Sequence, residues 1–211
     1  MAIIGSNYSN PFFAFAFYSI WGSTIAFLSH IFSIRACNHE GWFKLAYIST
    51  EISFAVNSTV MIIFWGILWP TMMAYKDQVD SATFQILAWY MALIHAIPFI
   101  TTVSDLWMTD MALEKSHWWI AFVTMCPFYM VANWIGAMTV GWKDRPDVSE
   151  EDKYGQIYGP EMWDSNIPLT ILYFVIGAAA QGAIFYATAA IIDLFKKDHT
   201  VCPPPLTPYI P

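Results

Sequence analysis

Apolar residues in this chain fall in long, nearly unbroken blocks separated by short polar stretches. An α-helix needs roughly 20 such residues to cross a ~30 Å hydrocarbon layer. Five blocks reach that length: residues 12–34, 45–74, 83–107, 118–142 and 167–195. The second has room for a tilted helix with an interfacial turn before Pro70. This pattern predicts an all-α, polytopic membrane helix bundle with about five transmembrane helices. Residues 1–11 then form an N-terminal extramembrane segment and 142–166 the one sizeable polar loop, charge-rich and broken by Gly and Pro. Residues 196–211 form a Pro-rich tail.

Tryptophan and tyrosine crowd the ends of these blocks, at Trp42, Trp69, Tyr75, Trp107, Trp118, Trp119, Trp142 and Trp163. Amphipathic rings prefer the headgroup level, so these positions read as an aromatic belt. In the last block, GAAAQGA sets Ala178 and Gly182 four residues apart, a spacing that lets helix backbones approach closely. Asn57, Ser58, Thr59 and Asn133 are the expected bonds between helices.

Ionisable side chains inside a span cost about 2.5–3.5 kcal/mol on insertion scales, so each asks for a reason. His30 and Glu51 lie near enough to span ends to reach the interface. His95 lies deepest, and Asp105 follows ten residues later. Ten residues of helix rise about 15 Å, so His95 and Asp105 need separate partners. For His95 the plain expectation is a neutral ring bonded to a hydroxyl or carbonyl of a neighbouring helix. Pro98 frees a nearby carbonyl that offers a local alternative. Two histidines on separate spans, His30 and His95, are the only haem-ligand pattern, and nothing sets them at one depth. No HxxxH or ExxH pair marks a metal site. We therefore expect no cofactor and no metal.

Composition agrees with the pattern and removes other classes. Of 211 residues, 57% are hydrophobic and only 12% charged, about half the charged fraction of soluble domains. A net charge of −7 without a basic cluster argues against nucleic acid, which is bound by displacing counterions with Lys and Arg. Cys37, Cys126 and Cys202 lie far apart, with no disulfide or thiolate-metal pattern. The N-terminus lacks the basic region of a signal peptide and the Arg-rich character of a transit peptide. Basic residues divide four against five between the two faces of a five-span bundle, so orientation stays open. The tail is expected to be extended polyproline II. Such a segment orders only against a neighbour, which makes residues 202–211, from Cys202 to Pro211, an expected contact with a partner subunit.

The succession FAVNSTVMIIFWGIL, then His95-x-x-Pro98-Phe99 with Asp105, then PFYMVANWIGAMTVGW and the loop IYGPEMWD resembles the androgen-induced-protein and Rolling-stone-like membrane family, over about residues 50–192. The resemblance implies six spans in relatives, one of them lost or shortened here. It also implies intramembrane hydrolysis of fatty acid esters of hydroxy fatty acids by a Thr nucleophile and a His. His95 matches that His and Asp105 an acid that follows it. The Thr has no clear counterpart, and the first helix offers Thr24, Ser29 or Ser33. A base without its hydroxyl performs no acyl transfer.

Three functions follow as expectations. The first is a non-catalytic accessory or structural subunit of a large membrane complex, contacting other subunits and membrane lipids. A respiratory-chain or ATP synthase assembly in the mitochondrial inner membrane is the expected host, on the ground that extra multi-span subunits accumulate there. The second is a lipid-ester hydrolase in which His95 activates Ser33 or Thr24, with Asp105 orienting it. The third is a lipid- or quinone-binding subunit with a groove near His95.

Overall fold

Without water, backbone polar groups must pair internally, and a helix achieves this within one segment. The computed structural model describes residues 17–74, 76–78, 80–109, 111–139, 163 and 166–195, and every regular element among them is helical. The main helices are α1 (Tyr18–Ala36), α2 (Phe43–Ile63), α3 (Trp69–Ala74), α4 (Ser81–Met108), α5 (Trp118–Val123), α6 (Met130–Thr139) and α7 (Ile167–Phe195). π-helical turns at Phe64–Leu68 and Thr124–Tyr129 carry α2 into α3 and α5 into α6. In the second turn Cys126 is extended, at φ −132° and ψ 111°, as the steric demand of the following proline favours.

Four segments are long and apolar enough to cross a bilayer: Glu40–Ala74, Ser81–Met108, Lys115–Met138 and Ile167–Leu194. The protein is an all-α integral membrane protein. The fifth expected span is only partly represented, by the 19-residue α1. Ser19, Ser23, Ser29, His30 and Ser33 make α1 too polar to qualify by composition, and residues 12–16, expected to lengthen it, lie outside the described residues. The N-terminal segment, the 142–166 loop apart from Trp163 and Asn166, and the tail with its expected partner contact also lie outside them.

α2 is the axis of the bundle, in contact with α1, α4, α5 and α7. Its residues from Ser49 to Val60 are almost all buried, whichever way they point. Small polar residues suit this position, because short side chains let several neighbours approach and carry hydrogen bonds to them. Two clusters fill the interior. One gathers Val56, Val60, Met125, Tyr129, Phe174 and Ala178; the other joins Phe54, Leu106, Leu113, Ala121 and Phe185. The small face of α7 packs as expected. Ala178 is fully buried, and a Cβ at Gly182 would stand 3.2 Å from the Trp118 ring.

One belt residue belongs to the core instead. Trp163 is buried, stacks on Phe174 with centroids 5.7 Å apart, and donates its indole N–H to Asn133 Oδ1 at 2.7 Å. Trp107 keeps the expected exposed position, at 86%.

Candidate functional site

His95 sits on α4 beneath the π-turn that follows α2. Its ring lies flat on Phe64, with centroids 4.2 Å apart and planes 8° off parallel. Its Nδ1 is 2.6 Å from the carbonyl of Met91, one turn earlier on the same helix. A carbonyl only accepts, so the neutral ring carries its proton on Nδ1. The acceptor is neither a neighbouring helix nor the turn opened by Pro98. The Pro98 carbonyl is taken by the hydroxyls of Thr101 and Thr102. Neither Ser33 nor Thr24 bonds to His95, so neither expected base–nucleophile pair forms. Thr24 is exposed on α1.

Ser33 and Asp105 do meet. The Ser33 hydroxyl donates to Asp105 Oδ2 at 3.3 Å, and His30 Nδ1 lies 3.7 Å from the same oxygen. His30 therefore faces an acid rather than reaching for the interface, and its Nε2 is buried without a partner. Asp105 and Ser33 line a cavity of about 710 Å³ at the end of the bundle where α1, α4 and α7 finish and α2 begins. Lys115 and Asp193, paired at 2.7 Å, also line it. In this cluster the Asp105 carboxylate accepts from the Ser33 hydroxyl, and His30 approaches the same oxygen from one turn earlier on α1. Acyl transfer by a Ser–His pair needs the ring to take the hydroxyl proton, and here that proton points to the carboxylate.

Glu51 departs furthest from expectation. Eight residues into α2 it reads as able to extend to the interface, yet it is 1% exposed. The linker before α5 folds over it. The Glu114 amide donates to Oε1 at 2.9 Å, and His117 Nδ1 lies 2.7 Å from Oε2. A buried carboxylate is tolerated when its lone pairs are taken in this way.

Several of the remaining polar groups at membrane depth join helix to helix. Ser29 bonds Thr50 at 3.2 Å, and Ser53 bonds Thr102 at 2.8 Å. The Asn57 amide donates to the carbonyl of Gly22 at 3.1 Å. Tyr18 donates to Gln181 Oε1, and Gln181 Nε2 donates to the Ala121 carbonyl. Ser58 and Thr59, expected to bond between helices, turn back to the carbonyls of Phe54 and Ala55 in their own helix. That is the local bond a Ser or Thr makes when no partner faces it. Among the described residues, no three His, Cys, Asp or Glu side chains converge as a metal site.

Gln181, Ser53 and Thr102 are joints the sequence reading passed over. Their only signal was polarity inside an apolar block, shared by residues that bond locally. No family model, no curated protein and no solved structure matches this chain. The reading of function rests on the geometry and on the resemblance stated above.

Proposed function

We propose that the protein is a non-catalytic structural subunit of a larger membrane assembly, with the mitochondrial inner membrane as its proposed location. One observation carries the reading: His95 bonds the Met91 carbonyl through Nδ1 and stacks on Phe64, and among the described residues no hydroxyl bonds to its ring. Elsewhere in the bundle, polar side chains tie one helix to another, as Ser29 does with Thr50, Ser53 with Thr102 and Tyr18 with Gln181. The open side of the bundle favours contact with neighbours: α4 turns Trp89, Tyr90 and Trp107 outward.

The test has two arms. After solubilisation in mild detergent, the native chain should migrate in a complex several times its own 24.1 kDa, and a fluorophosphonate probe should not label it. A chain that runs as a monomer and is labelled in a His95-dependent way would overturn the proposal. The Ser33–Asp105 contact supports a second reading, lipid-ester hydrolysis at the 710 Å³ cavity. Labelling lost on Ser33→Ala and kept on His95→Phe would single out that reading.

A further inference from the structure

We propose that the groove between α1 and α5 holds one acyl chain of an anionic phospholipid, with the lipid phosphate on Lys44. The inference is independent of the structural-subunit reading. Trp21 and Ile25 enter the groove from α1, Ile48 and Ile52 from α2, and Val123 and Phe128 from α5 and its π-turn. It encloses about 530 Å³.

Length points to a lipid chain. At 1.5 Å per residue, the wall rises about 12 Å from Lys44 to Ile52 and about 16 Å from His117 to Phe128. That is about half of the ~30 Å hydrocarbon thickness, the depth of one leaflet. An apolar slot of this depth matches an alkyl chain running in from the headgroup level.

Charge selects the headgroup. Lys44 stands exposed at the mouth of the groove and forms no ion pair among the described residues. Of the other polar groups, His117 bonds Glu51 and the Thr124 hydroxyl bonds the Ile120 carbonyl. No acidic side chain lines the groove. The lining thus presents one unpaired positive charge above an apolar slot. An anionic lipid phosphate at headgroup level complements it.

The experiment offers the purified full chain, in neutral detergent, phosphatidylglycerol, phosphatidylcholine or oleate, and reads retained lipid by native mass spectrometry. Phosphatidylglycerol should be retained roughly fivefold over phosphatidylcholine, the scale of one basic side chain at an anionic surface. Lys44→Glu should remove that preference, while Arg35→Glu, an exposed cation outside the groove, should keep it. Val123→Trp, which fills the slot, should reduce retention of both phospholipids. Because Lys44 is exposed, its variant tests the proposal even if the Val123 variant fails to fold. Equal retention of the two phospholipids, oleate in place of phosphatidylglycerol, or a preference that survives Lys44→Glu would each overturn it.

Discussion

Glu51 shows how far a single residue departs from what its neighbours in sequence suggest. A carboxylate eight residues into an apolar helix reads as one that extends to water, because burial needs more donors than the single phenol of Tyr47 one turn earlier can offer. The further donors come from 63 and 66 positions away, on the linker that leads into α5. Removing it leaves the Glu114 amide and the His117 ring without their acceptor. A buried donor left unsatisfied costs about 1–3 kcal/mol. Glu51→Ala should therefore lower resistance to denaturing detergent by that order and speed amide exchange at 113–117. Glu51→Gln should cost less, because its side-chain oxygen still accepts from the Glu114 amide. Equal exchange at this linker in wild type and Glu51→Ala would refute the assignment. Gly22 illustrates the opposite limit, a position defined by having no side chain. A Cβ there would run into the Asn57 side-chain oxygen and stand 3.3 Å from Val56 Cγ1. Gly22→Val should cost about 1–3 kcal/mol, the range for overpacking a tight interior. Adding Asn57→Ala, which clears the space, should recover part of that loss; a purely additive double mutant would count against the contact.

At the scale of elements, helix existence was legible and helix ends followed local chemistry. Asp80 opens α4 by accepting the Thr83 amide at 2.9 Å, which satisfies one of the donors that a helix N-terminus leaves orphaned. Hydrogen bonds from Thr83, the hydroxyl ahead of the amide, hold the Asp80 carboxyl below its ordinary value of 3.8. A depressed folded-state pKa means the cap contributes above the unfolded value and is lost as pH falls through the folded one. Exchange protection in the first turn of α4 should be unchanged from pH 7 down to about 5 and then fall below about 4. Asp80→Ala should remove protection there at all pH values and leave the rest of α4 intact. A pH-independent first turn would show that the carboxylate does not cap it. Burial by contrast was legible only at the small residues of α7. α7 is apolar almost throughout, so its sequence carries no stripe, and its contact face is set by where Gly177, Ala178 and Gly182 meet Met125 and Trp118.

For the whole molecule, composition and block length were enough to specify a membrane-spanning helical protein. A chain with 12% charged residues has too few to coat a globule in water, and blocks of 20 or more apolar residues have one stable form in lipid. The candidate site was less accessible. His95 and Asp105 stood out by polarity, but polarity does not reveal a partner. Ser33 finds Asp105 because α1 and α4 are adjacent and their facing turns are level. Among the described residues, His95 bonds the Met91 carbonyl of its own helix and stacks on Phe64. The sequence by itself determined the fold class, four of the five expected spanning segments and the small-residue face of α7, since these depend on local composition and the length of a helix. Only the tertiary structure decided that Glu51 is buried, that Trp163 is a core residue rather than a belt residue, and that the serine lies with the acid instead of the imidazole. Those outcomes depend on the rotation and height of each helix against its neighbours, which packing across the bundle sets and no single segment encodes.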